Sequence, residues 1–194
     1  MFDPDTERAI RASLQAHAGQ MRKSDAGVPY VAHPFHVALI LARLGLPPRV
    51  LQAALLHDVV EDCEGWSNAR VERGFGPDVA RTVAELTEDK SRTWEERKHA
   101  QVEHAQHLST DALAVKAADK LHNLCTLAQD LRAAADPATV WGRFRGGRER
   151  TLAMSRELVD AIAARCDVRL AAELRAALLA VESASGLPAR RTTP

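Results

Sequence analysis

The 194 residues are enough for one domain with a substantial core. Lys plus Arg and Asp plus Glu both number 26, so no overall charge draws the chain to nucleic acid or to a membrane surface. Aromatic residues are only 4%, the apolar content is mainly Ala, Leu and Val, and no run approaches the about 18 apolar residues of a membrane span.

The elements expected along the chain are helices. Asp5-Thr6-Glu7 reads as a capped start, followed by Ala9, Ile10, Leu14 and Ala18 at helical spacing, with Met21 extending the face. Arg22 to Tyr30 is a loop, because Gly27 and Pro29 interrupt the periodicity. His33-Pro34 suits a helix start, carried on by Val37, Ile40, Leu41 and Leu44 until Gly45. Pro47-Pro48 separates it from a helix expected to run unbroken from Arg49 to Asp62. After Gly65 a short helix reaches Arg73, and Pro77 opens another through Val79, Val83 and Leu86. Glu88 to Ser91 is a charged loop, and Thr93 to His107 a polar helix. Ser109-Thr110-Asp111 caps a long helix, Ala112 to Leu131, that carries Asp119 between Lys116 and Lys120. Asp136-Pro137 starts a helix broken near Gly146-Gly147, and Leu158, Ile162, Leu170, Leu174 and Leu178 mark the last two. With no strand pattern or repeat, the expectation is an all-α single domain over residues 1–184 and a frayed tail over 185–194.

The stretch Leu55 to Asp62 concentrates the chemistry. An apolar run ends in His57, Asp58, Glu61 and Asp62, which a continuous helix would project to one side. Burying unpaired charge costs several kcal/mol, so such a group implies a cation or strong partners. Imidazole with carboxylate suits Mn²⁺, Fe²⁺ or Zn²⁺. The plain alternative is a helix end with solvated acids and one core histidine. His33, the His57-Asp58 pair and Asp119 come from three separate helices and together offer two imidazoles and two carboxylates. That set leaves coordination positions open for water and substrate, as a hydrolytic metal requires.

These residues resemble the H…HD…D signature of the HD-superfamily metal phosphohydrolases. Arg22-Lys23, then Gly27-Val28-Pro29-Tyr30-Val31-Ala32-His33-Pro34, is similar to the RK…GxPYxxHP segment of the RelA/SpoT-type alarmone hydrolases. His57 to Asp62 resembles their HDxxED, and Lys116 to Leu124 their KxADKLHNL. Thr87-Glu88-Asp89-Lys90 and Trp94-Glu95-Glu96-Arg97-Lys98 are similar to the small, single-domain branch, and the resemblance extends over residues 5 to 160. It implies hydrolysis of guanosine 3′,5′-bis(diphosphate) or its triphosphate form, (p)ppGpp, to GDP or GTP and pyrophosphate, with Mn²⁺ as the usual ion. It makes His33, His57, Asp58 and Asp119 the metal ligands, with Glu61 and Asp62 orienting and deprotonating the attacking water.

Arg22 would stack on guanine, Lys23 would sit near it or near phosphate, and Asn123 and Thr126 would contact the nucleotide. Lys90, with Arg97 and Lys98, would form a phosphate-attracting rim, and Arg148 a further phosphate contact. The chain departs from the family pattern at Cys125, where many relatives have arginine, and at Ala153, Met154 and Ser155, where aromatics are usual. The synthetase domain of long relatives is absent, which points to a hydrolase only. A same-fold phosphohydrolase acting on another nucleotide, including the 2′-phosphate of NADPH, is the near alternative. A non-catalytic nucleotide-binding module is the distant one, and the intact Glu61-Asp62 pair argues against it.

Other candidates are read plainly. His99, His104 and His107 are surface residues rather than a second metal site, and His122 is a packing residue rather than a ligand. Cys63, Cys125 and Cys166 lack any CxxC pairing, so they are reduced thiols of a cytoplasmic protein with no disulfide partner. The start of the chain has no signal-peptide pattern.

Overall fold

The structure, a computed structural model, describes residues 2–22 and 27–186, so Lys23 and most of the expected tail lie outside the described residues. In chain order the helices are α1 Pro4–Ala16, α2 Ala32–Arg43, α3 Pro48–Leu56, α4 Val59–Asp62, α5 Asn68–Phe75 and α6 Pro77–Leu86. They continue with α7 Trp94–Ala105, α8 Thr110–Ala133, α9 Pro137–Trp141, α10 Gly147–Ala163 and α11 Val168–Ala184. Among the described residues the one extended pairing is an isolated bridge between Met21 and Pro29. The fold is all-α and a single domain, as expected.

Helix α8 is the axis. Ser109 caps its start, its side chain accepting from the Ala112 amide at 3.3 Å. Its buried face includes Leu113, Val115, Ala117, Ala118, Leu121 and Leu124. It packs against α11, α2, α6, α10 and α3. Small residues at Ala117 and Ala118 let neighbouring helices approach the stretch that carries Asp119. Leu41, Leu56, Val83, Ile162 and Leu174 are fully or almost fully buried around it, each such side chain stabilising the fold by about 1.5–3 kcal/mol.

Three local details differ from expectation and shape the site. Helix α1 is capped by Asp3, with Pro4 in its first turn, rather than by Asp5. It ends at Ala16, so Met21 leaves the helical face and is half-exposed in the bridge to Pro29. There Arg22 N–H donates to Val28 O at 3.0 Å and Tyr30 N–H to Gln20 O at 2.9 Å. Gly27, at φ +88°, supplies the left-handed turn that brings Tyr30 back.

The expected continuous helix from Arg49 to Asp62 is broken at His57 and Asp58. His57 Nδ1–H donates to Ala54 O at 2.7 Å, taking a carbonyl that a continuing helix would offer to the next amide. Asp62 N–H then bonds Asp58 O at 2.8 Å and starts the single turn α4.

Downstream, Thr93 and Glu96 form a capping box at the start of α7. Trp94 lies over Gly146, where an added Cβ would come within 2.6 Å of its ring, and so fixes α7 beside the start of α10. Ser185 is not part of a frayed tail: it is buried, and its hydroxyl donates to Val181 O at 2.6 Å. Among the described residues no helix is long and apolar enough to cross a membrane.

Candidate active site

His33 from the first turn of α2, and His57 and Asp58 from the break between α3 and α4, bring one ligand atom each to within 4.8 Å of one another. They are the only such cluster of metal-ligand types among the described residues, and His99, His104 and His107 form none. Asp119 of α8 adds its Oδ1 at 3.3 Å from His33 Nε2.

The donor set fits a divalent ion on internal grounds. Because His57 gives its Nδ1 proton to Ala54 O, its neutral ring turns the Nε2 lone pair inward. That nitrogen is buried with no hydrogen-bond partner, yet stands 3.2 Å from Asp58 Oδ2. A lone pair facing a carboxylate at this distance repels it unless a proton or a cation lies between them. Two imidazole nitrogens and oxygen ligands are the chemistry that borderline divalent ions take.

Neighbours hold each ligand. Tyr30 O–H donates to Asp58 Oδ2 at 2.6 Å. Burial, then the charge of Asp58, pushes the phenol well above its ordinary pKa, so Tyr30 remains a donor. His122 Nδ1 lies 2.8 Å from His33 Nδ1, both residues buried. Burial and the nearby His33, His36 and Arg22 lower the His122 pKa to about 3. With Nε2 serving the ion, His33 carries its proton on Nδ1, and a neutral His122 can accept it. Burial opposes ionisation of Asp119, but positive charge beside it, on the side of the imidazoles and on Lys116, outweighs burial. That charge holds the Asp119 carboxyl below the usual range.

The two further acids stand beside this centre. Glu61 Oε2 accepts from Glu88 N–H at 3.2 Å. Burial raises the Glu61 pKa, and the Glu88 and Asp62 charges add to the rise against the Glu88 hydrogen bond. Lys90 Nζ donates to Glu61 O at 2.7 Å and to Asp62 Oδ1 at 2.5 Å. It thus clamps the acids instead of reaching into the cavity.

A cavity of about 420 Å³ is lined by these histidines and acids together with Lys98, Lys116, Lys120 and Asn123. Asn123 Nδ2–H donates to Asp119 Oδ1 at 2.5 Å and its Oδ1 accepts from Arg22 Nη2–H at 3.3 Å. The Arg22 guanidinium also stands 5.8 Å from the centre of the Tyr30 ring. Lys116 Nζ lies 3.8 Å from Asp119 Oδ2. Lys120 Nζ donates to Ser155 Oγ at 3.0 Å; burial lowers its pKa to about 8, Asp119 opposing and Lys98 and Lys116 reinforcing.

In the sequence Lys116 and Lys120 flank Asp119 within the KxADKLHNL stretch, with no role of their own expected. Their spacing of i and i+4, with Asp119 at i+3, is the signal that puts all three on one helical face.

Two expected contacts stand apart from the cavity. Thr126 turns its hydroxyl back to His122 O and Asn123 O, both at 3.1 Å. Arg148 reaches Ser185 O at 3.5 Å and so ties the start of α10 to the end of α11. Neither residue lines the cavity. Cys125 is exposed, and Cys63 is a buried free thiol 3.3 Å from His17 Nδ1.

A helical domain with histidines and carboxylates converging in a lysine-walled cavity is the class defined by fold and site. The HD domain family matches residues 9–149, and the chain belongs to that family, which points to a bound divalent metal.

Over 117 residues, 59% of this chain and 64% of the relative, it is 45% identical to guanosine-3′,5′-bis(diphosphate) 3′-pyrophosphohydrolase MESH1 of Danio rerio. The Homo sapiens protein of that name is 50% identical over 114 residues, 58% of this chain and 63% of the relative. The matched stretch thus spans a little under two thirds of these relatives. A solved structure described as a metazoan ortholog of SpoT that hydrolyzes ppGpp superposes with a TM-score of 0.80. It is 33% identical and covers 97% of this chain and 99% of that one.

Proposed function

We propose that this protein is a Mn²⁺-dependent guanosine-3′,5′-bis(diphosphate) 3′-pyrophosphohydrolase acting on ppGpp and its triphosphate form. The observation that carries the reading is the convergence of His33, His57, Asp58 and Asp119 beside Glu61 and Asp62, in one cavity that three lysines also line. The named relatives and the ppGpp-hydrolysing structure support the choice of substrate. Residues 1–184 are read as the catalytic unit. Reduced thiols and a soluble anionic substrate suit a cytoplasmic setting.

His33, His57, Asp58 and Asp119 would hold the ion, which lowers the pKa of water and offsets charge on phosphate oxygens. Glu61, kept as a stronger base than an exposed glutamate by its burial, takes the proton of the attacking water, and Asp62 fixed by Lys90 completes the acid pair. The water oxygen bonds to the phosphorus next to the ribose 3′ oxygen. The bond from that phosphorus to the 3′ oxygen breaks, and the 3′ oxygen is protonated to the hydroxyl of GDP or GTP. Pyrophosphate leaves. Arg22, Asn123 and the lysines orient and neutralise the substrate.

The test is purified protein with Mn²⁺ against a nucleotide panel, following pyrophosphate and phosphate separately. Pyrophosphate and GDP in equal amounts from ppGpp are expected. Equal or better turnover of NADPH, or single phosphates released from ppGpp, overturns the reading.

A further inference from the structure

Glu88 stands where α6 gives way to the charged loop, and its carboxylate is held by three donors of α7. Arg97 Nη1 is 3.2 Å from Glu88 Oε2, Lys98 Nζ is 3.5 Å from Oε1, and Gln101 Nε2–H donates to Oε1. Positions 97, 98 and 101 share one face of the helix, which turns all three toward a single point. The Glu88 side chain is only 16% exposed. A single carboxylate therefore satisfies two cations and an amide, and a net positive charge is left in a half-buried place.

The location is as telling as the contacts. Glu88 and Gln101 line both the catalytic cavity and an adjoining groove of about 860 Å³ between α6 and α7. Lys98 opens to the cavity and Arg97 to the groove, so Glu88, with Leu86, Gln101 and Lys116, stands on the border between the two spaces. Its backbone serves a separate purpose, donating to Glu61 Oε2, and would stay in place if the side chain swung away.

We propose that Arg97, Lys98 and Gln101 form a phosphate subsite, filled in the free protein by the Glu88 carboxylate. A phosphoryl group of the substrate remote from the metal displaces Glu88 into the groove. The inference rests on the reading that the substrate is a nucleotide with more than one phosphorylated position. A terminal phosphate carries more charge than a carboxylate and three acceptor oxygens, so it matches a guanidinium, an ammonium and an amide better than Glu88 does. Displacement also joins the two spaces, giving a long bis-phosphorylated ligand more room than the cavity alone.

The experiment is calorimetric titration of pyrophosphate into the full, Mn²⁺-loaded protein. Glu88→Gln removes the competing charge, keeps side-chain size and leaves the backbone contact to Glu61. It is expected to bind pyrophosphate about tenfold more tightly than the parent. Arg97→Gln with Lys98→Gln is expected to weaken binding about tenfold and to cancel the gain when combined with Glu88→Gln. Asp89→Asn removes the same charge one residue away and is expected to change nothing.

Unchanged or weaker binding by Glu88→Gln overturns the subsite, as does an equal gain from Asp89→Asn, which would mean a general charge effect. Because pyrophosphate binding is read directly, failure to hydrolyse ppGpp leaves this result separately legible.

Discussion

Replacing His122 by phenylalanine isolates how the metal centre is held, because His122 touches a ligand without being one. His122 Nδ1 is the 2.8 Å acceptor for His33 Nδ1–H, and both rings are buried. Phenylalanine fills similar space and offers no acceptor, so the His33 N–H is left buried and unpaired, at a cost of about 1–3 kcal/mol. In a domain of this size each kcal/mol shifts the melting temperature by about 2–4 °C, so the metal-free variant should melt about 2–12 °C below the parent. His33 also loses the contact that fixes its proton on Nδ1, and removing such a partner weakens metal binding by about 10- to 100-fold. Thermal denaturation in chelator measures the first effect, and competition with a chelating dye the second. His122→Asn, whose carbonyl can accept the same proton, should recover part of both. Metal affinity within about twofold of the parent for His122→Phe would refute the claim that His122 orients His33.

Other expectations follow from the division of roles. Asp119→Ala or His57→Ala should lose both metal and turnover. Glu61→Gln should keep the metal by dialysis and elemental analysis yet lose about 10²–10⁴ in rate; loss of the metal as complete as in His57→Ala would show that Glu61 is a ligand. In the metal-free protein burial raises the Glu61 pKa above that of an ordinary glutamate, and a divalent ion bound beside it would oppose that rise. In stability the same shift carries a penalty for charging buried Glu61, which is absent below its unfolded pKa and sets in as pH rises through the raised folded value. Glu61→Gln should therefore stabilise the metal-free protein at neutral pH but not in acid, as thermal melts against pH can check. Chelation should remove about 2.7 kcal/mol of stability from a starting metal concentration of 100 Kd and so lower the melting temperature, and a melt insensitive to chelator would argue against a bound ion.

Most helix positions were legible because proline, glycine and capping residues punctuate the chain. Pro48, Pro77 and Pro137 all open helices in the structure, and Ser109 caps α8 as its spacing to the apolar run suggested. What periodicity missed were features set by partners distant in sequence or by side chains acting on the backbone. Nothing local to Met21 says that it pairs with Pro29 instead of extending α1. The break at His57 comes from its own ring bonding Ala54 O, an interaction that an apolar pattern cannot register. Arg148 and Thr126 were chosen by residue type and motif position. Their donors are turned to Ser185 O and to the carbonyls of α8, directions that depend on tertiary packing and rotamer. Lys116 and Lys120 illustrate the reverse, a spacing in plain view whose meaning depends on the packing of α10 on α8 and on the cavity that both lysines then line.

The two histidines of the centre face the same requirement and meet it by different means. A ligating imidazole needs its other nitrogen protonated and held, or the ring swings and the wrong nitrogen faces the ion. His57 secures this locally, by ending its own helix and giving Nδ1–H to Ala54 O. His33 sits at the start of α2, where no preceding helical carbonyl is placed for it, and draws its acceptor from His122 on α8. The local device survives as long as α3 is folded. The long-range device exists only when α2 and α8 are docked, so metal affinity reports that docking. Asp119 lies three residues before His122 on α8 and adds its carboxylate to the same His33 ring. The docking of α2 on α8 thus supplies both a ligand and the support of another, which is why the centre and the fold around α8 should form and fail together.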